Sequence, residues 1–140
     1  MPVQRATVEV HTRRGLHVAV LFLRPDCDPQ DLFEDDAPFF PADEAGTIRL
    51  FARASVVDIV VDASDEAPES LAALGVPYVV RNVAVHLEHG ATIVGSIRSP
   101  GNPTRTLDLV NERRRSFAVY AGGKVHHVAK AHVEHIEEMP

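Results

Sequence analysis

The sequence has few of the features on which membrane insertion and disulfide bonding depend. Cys27 is the only cysteine, so no disulfide can form within the chain. No apolar run approaches the roughly 18 residues of a membrane-spanning helix. The N-terminal stretch MPVQRATVEVH also lacks the apolar segment of a signal peptide. These absences predict a protein of the reducing cytoplasm that does not enter a membrane.

Motifs of common catalytic sites are missing as well. The sequence contains no nucleophile elbow with a Ser–His–Asp order, no phosphate-binding glycine loop and no metalloprotease helix. Cys27 lies between Asp26 and Asp28, and these neighbouring carboxylates disfavour a reactive thiolate. The net charge of −6 disfavours a large phosphate-binding surface. We therefore expect a protein that is not an enzyme and that carries no cofactor.

What the sequence does contain is an internal similarity. The segment VEVHTRRG, which starts at Val8, returns as VAVHLEHG from Val83, 75 residues later. A second, gapless match at an offset of 77 aligns residues 31–61 with residues 108–138. One two-residue length change in the Pro-rich stretch near Pro25 would reconcile the two offsets. A shared register of this length predicts a duplicated module. Identical pairs include His11/His86, Gly15/Gly90, Phe40/Phe117, Gly46/Gly123 and Ile59/Ile136.

Each module has the pattern of a small β domain. Short runs that alternate apolar and polar residues, as at Val8 and Val10, predict five strands per module with turns between them. Closure of such strands into a barrel would leave few unpaired edges. Between the modules, Ser64 as a cap and Gly75 as a stop predict a short helix. The predicted organisation is a barrel at residues 1–63, a helix-bearing linker at 64–77 and a second barrel at 78–140.

This pattern resembles the Sm-like fold, an SH3-like small β-barrel of five bent strands preceded by a short helix. In RNA-binding members of that family an Asn and an Arg-Gly pair line the nucleotide pocket. Here the Arg-Gly positions hold Ala129-Lys130 and Ala52-Arg53, and the first module has Glu34 where the second has Asn111. The first motif of the family is carried by Val85, Leu87, Gly90, Ile93, Gly95, Ile97, Asp108 and Asn111, and the second by Val128, Val133 and Ile136 and by Phe51, Val56 and Ile59.

The predicted function is a non-catalytic interaction or assembly module. Apolar edge strands would contact another barrel through their backbones, as strand addition does in other proteins. We expect Ile59 in the first module, and Val133 and Ile136 in the second, to lie on these strands. The partner would be another protein or a second copy, in a dimer or a ring.

Two alternatives remain open. The first is RNA or nucleotide binding by a local basic patch. The second is a metal site, for which His127 and His132 are the two histidines that could share a face across a hairpin.

The basic loop at residues 113–115 corresponds to an acidic stretch at residues 34–36, so the two loops could also bind each other, within one chain or between chains. The residues predicted for nucleic-acid binding are Arg105, Asn111, Arg113, Arg114 and Lys130.

Overall fold

A computed structural model describes residues 4–24, 27, 29–62, 78–100, 106–111 and 113–139. We call residues 4–62 the first half and residues 78–139 the second half. The predicted linker helix at residues 64–77 lies outside the described residues. The strands of the first half are β1 (Gln4–Thr12), β2 (Gly15–Leu23), β3 (Phe39–Glu44), β4 (Thr47–Ala52) and β5 (Val56–Asp62). Those of the second half are β6 (Tyr78–Leu87), β7 (Thr92–Pro100), β8 (Ser116–Ala121), β9 (Lys124–Ala129) and β10 (Val133–Glu138).

Helical structure in these ranges is limited to single turns. The one-turn helix α1 spans Thr106–Val110, and 3₁₀ segments span Pro29–Phe33, Arg53–Ser55 and Lys130–His132. No helix in the part of the chain that the structure describes has the length and apolarity to cross a membrane.

Turn chemistry explains two of the two-residue hairpins. Between β3 and β4, Ala45 has a φ of 52° and Gly46 a φ of 87°. Between β8 and β9, Gly122 and Gly123 have φ values of 57° and 78°. Two successive positive φ angles are typical of the two-residue turn that matches the twist of a hairpin, and glycine adopts them at little cost.

All ten strands belong to one antiparallel sheet, in the order β10-β6-β7-β8-β9-β5-β1-β2-β3-β4. The predicted β class is therefore confirmed. The sheet is open and continuous, whereas the sequence predicted two separate five-stranded barrels. Among the described residues, no strand pairing closes either half into a barrel. The strands of the two halves nevertheless follow the same order, β5-β1-β2-β3-β4 in the first and β10-β6-β7-β8-β9 in the second. Pairing between β5 and β9 joins them.

Two apolar clusters lie along this sheet. Cluster one packs the first half but also contains Val125 and Ala129 from β9. Cluster two packs the second half but also contains Val57 from β5. Each half therefore completes its core with residues of the other. The largest buried first-half members of cluster one are Leu21, Leu23, Phe33, Phe40, Phe51 and Ile59, and cluster two includes Val83, Val85, Leu87, Ile97, Phe117 and Val119.

The bounds of the elements are displaced by a constant 77 residues after the first loop. Pro29–Phe33 corresponds to Thr106–Val110, and β3 and β4 correspond to β8 and β9 at both ends. Upstream, the pairing shows where one extra residue enters. Glu9 of β1 and Ala84 of β6 are corresponding residues, 75 positions apart. Glu9 pairs with Val18 of β2, and Ala84 pairs with Val94 of β7, so β2 and β7 are offset by 76. The prediction of a single two-residue change in the Pro-rich stretch was wrong, because the turn between β6 and β7 already holds one added residue.

Candidate functional site: the junction and the two open edges

The junction between the halves is a five-pair antiparallel ladder, from Asp58 opposite Val128 to Asp62 opposite Lys124. Ile59 lies opposite His127 in this ladder, and both side chains are buried. Strand β5 is thus covered on both sides, by β1 and by β9. Ile59, which was predicted to lie on an edge strand, instead lies on an interior strand of the ten-stranded sheet, and its contact with the other half is made within one chain.

A histidine–carboxylate contact spans this ladder. Nδ1 of His126 on β9 lies 2.8 Å from Oδ2 of Asp58 on β5. The Asp58 side chain is almost fully buried, and a buried carboxylate is costly unless it is paired. The pair therefore favours this register of β5 and β9 over a shifted one.

A polar seam crosses between the halves beside the junction. Arg13, in the turn after β1, donates to Glu88, in the turn after β6, at 2.5 Å. The buried His132 donates from Nε2 to the carbonyl oxygen of Ala54 at 2.7 Å, and its Nδ1 lies 2.9 Å from Oε1 of Glu88. The hydrogen bond with His132, followed by the charge of Arg13, lowers the pKa of Glu88 below its ordinary value of 4.5. The seam therefore binds the halves best when Glu88 is ionised.

The acidic and basic loops meet within the chain. The backbone N–H of Arg115 donates to Glu34 at 2.7 Å, and its guanidinium donates to Asp36 at 2.5 Å. The hydrogen bond to Asp36 raises the pKa of Arg115 above its ordinary value. Of the two arrangements that opposite charges allowed, the structure has the intramolecular one.

The residues predicted for nucleic-acid binding are only partly brought together. Asn111, Arg113 and Arg114 are exposed in the loop between α1 and β8. Lys130 is half-buried beyond β9, where its backbone N–H donates to the carbonyl of Arg115. Arg105 lies outside the described residues. Because Glu34 and Asp36 lie against the neighbouring Arg115, carboxylates interrupt the basic surface here.

The two histidines predicted as metal ligands occupy different environments. His127 is buried on β9 opposite Ile59, while His132 is held by Glu88 and the Ala54 carbonyl. Within residues 4–62 and 78–139, apart from the undescribed gaps, no group of three or more His, Cys, Asp or Glu side chains converges as a metal site would require.

The two edges of the sheet, β4 and β10, each lack a strand partner on one side among the residues that the structure describes. On β4 the apolar side chains of Ile48 and Leu50 are 57% and 69% exposed. Phe39, on the adjacent strand β3, is 56% exposed. Large apolar side chains gathered on one exposed face typically mark a contact surface.

Beside β10 lies an open pocket of about 710 Å³. Its apolar lining includes Val110 of α1 and the two β10 residues Val133 and Ile136, all only half-buried. Thr106, also in the lining, is 5% exposed, and its hydroxyl has no hydrogen-bond partner among the described residues. The predicted edge residues Val133 and Ile136 do lie on an edge strand, and they border a space that none of the described residues fills.

Sequence reasoning missed the seam and the β4 surface. Arg13 and Glu88 occupy corresponding positions, 75 residues apart, and carry opposite charges. Opposite charges at corresponding positions were therefore visible in the sequence here, as they were at residues 34–36 and 113–115. On β4, two exposed apolar residues two positions apart, Ile48 and Leu50, were a second available signal.

Comparison with known proteins adds no relative to this picture. No protein-family model, curated protein or solved structure matches the chain.

Proposed function

We propose that the chain is a non-catalytic interaction and assembly module, built from two Sm-like, SH3-like halves, that binds proteins by adding strands to its open edges. The observation that carries this proposal is the β5–β9 junction. There the chain already joins two modules through backbone pairing. Within the described ranges, strands β4 and β10 are unpaired on their outer sides and could make the same kind of contact.

Correspondence between the halves supports the duplication. The backbone N–H of Arg53 donates to Pro38 O at 2.9 Å, and that of Lys130 donates to Arg115 O at the same distance. The residue before each 3₁₀ turn, Ala52 or Ala129, has a φ of −73° in both halves. Equal strand order, an offset of 77 from the Pro29–Phe33 segment to the start of β5, and one apolar cluster centred on each half are what two copies of one small barrel-like module would give.

The junction also defines which edges are left. It joins the fifth strand of the first half, β5, to the fourth strand of the second half, β9. In the part of the chain that the structure describes, the strands left without a partner on one side are the fourth strand of the first half, β4, and the fifth strand of the second half, β10. Unprotected edges are normally avoided because they pair with other chains. Their retention here, with exposed Ile48 and Leu50 on one of them, favours a binding role.

A peptide of residues 46–53, which contains β4, tests strand addition directly. We expect it to bind the full-length protein and to protect the amides of β10 from hydrogen exchange, since it can supply the missing ladder. The measurement is hydrogen–deuterium exchange of the full chain with and without the peptide. The matched control is the same peptide with Leu50→Pro, which removes a donor and fixes φ at the centre of the strand.

Protection of β10 by the unmodified peptide alone would support the proposal. Equal effects of the two peptides, or no protection of β10 at saturating peptide, would contradict it. Binding that leaves β10 unchanged and protects another part of the sheet would contradict it as well.

A further inference from the structure

We infer that a groove across β6, β7 and β8 binds a neutral saccharide. The inference goes beyond the proposed function, because it concerns a small ligand on a face of the sheet rather than a protein strand at an edge. The groove has a volume of about 340 Å³, within the range of small-molecule sites. Residues 94–96 of β7 and residues 120–122 at the end of β8 line it, together with Asn82 of β6 and Met139.

Three polar residues cross the groove in a row. Asn82 of β6 lies opposite Ser96 of β7, and Ser96 lies opposite Tyr120 of β8. Residues directly opposite each other in an antiparallel sheet share a face and lie about 5 Å apart. The Asn82 amide is exposed and the Ser96 hydroxyl half-buried, and each of these groups both donates and accepts hydrogen bonds. The groove therefore offers donors and acceptors side by side.

Two apolar side chains border this row. Val94 lies two residues before Ser96, on the same face of β7, and is 57% exposed. Met139, whose backbone N–H donates to the Asn82 carbonyl at 2.9 Å, is 41% exposed. A ligand with C–H groups on one side and hydroxyls on the other would contact both kinds of lining.

The lining excludes other classes of ligand by its charge. Among the residues that the structure describes, those that line the groove include no Asp, Glu, Lys, Arg or His. A charged ligand would lose part of its hydration here without gaining a counter-charge, and an apolar ligand would cover Asn82 and Ser96 without hydrogen-bonding them. The hydroxyls of a neutral sugar satisfy both residues, and its C–H groups pack on Val94 and Met139.

Arg98 is the cation next to this row, and it is engaged with an aromatic ring. It lies two residues beyond Ser96 on β7, and its guanidinium carbon is 4.0 Å from the centroid of the Tyr120 ring. A cation over an aromatic face is held there by the charge distribution of the ring. The sugar contacts therefore come from Asn82, Ser96 and the two apolar side chains, and not from stacking on the face that Arg98 covers.

The corresponding place in the first half has a different chemistry. Asn82 and Ser96 correspond to Thr7 and Val20, so that half lacks the amide and one of the hydroxyls. Three neutral lining residues of the second half correspond to carboxylates in the first: Tyr120 to Asp43, Ala121 to Glu44 and Met139 to Asp62.

Two of those carboxylates are used within the first half. Oδ1 of Asp43 accepts a hydrogen bond from the backbone N–H of Gly46 at 2.8 Å. Glu44 pairs with Arg49 at 2.7 Å. The duplicated position thus serves the β3–β4 turn in one half, whereas in the other half it is neutral, grooved and rich in hydrogen-bonding groups. This divergence between the copies favours a ligand site in the second half alone.

Nuclear magnetic resonance of the full-length, ¹⁵N-labelled protein tests the ligand class. The probes are neutral methyl hexopyranosides and the disaccharides made from them, with glucuronate and glucosamine as rings of the same size that carry a negative or a positive charge. We expect at least one neutral sugar to shift the amide signals of residues 94–96 and 120–122 saturably, with a dissociation constant of about 1 mM, as suits a small ligand in an open groove. The two charged sugars should bind at least tenfold more weakly.

Substitutions in the row test the placement. Asn82→Asp keeps the size of the side chain but replaces its donors with a charge, and should weaken binding of the neutral sugar at least tenfold. Ser96→Ala removes one hydroxyl and should weaken binding about threefold to tenfold. Thr7→Asp is the matched control, since it introduces the same charge at the corresponding position of the first half and should leave binding unchanged. Circular dichroism checks that all three variants fold.

The inference is overturned if no neutral sugar gives a saturable shift, if the shifts lie outside the groove, or if glucuronate or glucosamine binds more tightly than the neutral sugars. Equal effects of Asn82→Asp and Thr7→Asp, or unchanged binding by folded Ser96→Ala, would overturn the placement and with it the inference. The proposed function is tested separately: a chain that takes up the β4 peptide but no sugar loses only this inference, and one that binds the sugar but not the peptide loses only strand addition.

Discussion

His132 contributes to the junction through hydrogen bonds that cross between the halves. It is almost fully buried, its Nε2 donates to the Ala54 carbonyl, and its Nδ1 faces Glu88. Without His132, the Ala54 carbonyl and Glu88 would each lose a hydrogen-bond partner in the folded chain. The single side chain therefore matters more to stability than its position in a short 3₁₀ turn suggests.

Replacement of this histidine should destabilise the fold. We expect His132→Ala to lower the free energy of unfolding by about 1–3 kcal/mol, because the Ala54 carbonyl and Glu88 both lose a partner. Urea denaturation followed by circular dichroism measures the change. His89→Ala, at an exposed turn position, should change it by less than about 0.5 kcal/mol. Equal effects of the two substitutions would show that the seam does not stabilise the protein.

Glu88 should make part of the stability depend on pH. The pKa of Glu88 in the folded chain is held below 4.5 by His132 and Arg13, so folding favours its ionised form. Its contribution is complete above the unfolded value of 4.5 and is lost as the pH falls through the lower, folded value. Glu88→Gln should therefore be less stable than wild type at neutral pH, and this difference should shrink below about pH 4.5. Urea denaturation across this range measures it; a difference that stays constant from neutral to acidic pH would contradict the assignment.

At the scale of elements, β7 and β8 approach each other unusually closely. Only Ser96 and Tyr120 form a ladder pair between them, and Gly95 is the residue that allows the approach. A Cβ at Gly95 would overlap the carbonyl oxygen of Tyr120 and lie 2.9 Å from Cγ1 of Val119. The corresponding residue of β2 is Ala19, so the first half accommodates a methyl group at this place.

A methyl group at this point should separate the two strands. We expect Gly95→Ala to cost about 1–3 kcal/mol of stability, since the obstacle is backbone and cannot rotate away. Ser96→Ala, one residue along the same strand, is the control and should stay within about 0.5 kcal/mol. Urea denaturation compares the two, and a neutral Gly95→Ala would mean that β7 and β8 are free to move apart.

The strands themselves could be predicted from sequence because their pattern is local. Alternation around Val8 and Val10, and turn glycines such as Gly46, define strands and hairpins without reference to the rest of the chain. The pairing of Ile59 with His127 could not be predicted in this way, because it joins residues far apart in sequence. One signal was present: residues 56–61 are nearly all apolar, as in a strand covered on both sides, whereas residues 133–138 carry three glutamates, as in an edge strand.

For the molecule as a whole, the shared cores tie the halves together. Val125 and Ala129 of the second half belong to cluster one, and Val57 of the first half belongs to cluster two. Loss of either half would expose apolar surface on the other. Two modules of about 60 residues would each be marginal alone, so the gain from mutual burial is needed. The halves should then unfold as one cooperative unit.

Leu21→Ala tests this cooperativity, because Leu21 is fully buried in cluster one and lies on β2, two strands away from the junction strand β5. We expect a loss of about 2–5 kcal/mol that appears equally in the slowest-exchanging amides of both halves, including those of Val83 and Val85 in cluster two. Hydrogen–deuterium exchange at one fixed protein concentration resolves the two halves, since association would otherwise shift the result. Leu16→Ala, at an exposed site, controls for the chemistry of the substitution. A loss of protection confined to residues 4–62 would mean that the junction links two domains that unfold independently. The β5–β9 pairing would then contribute less to the stability of the whole sheet than a continuous ladder implies.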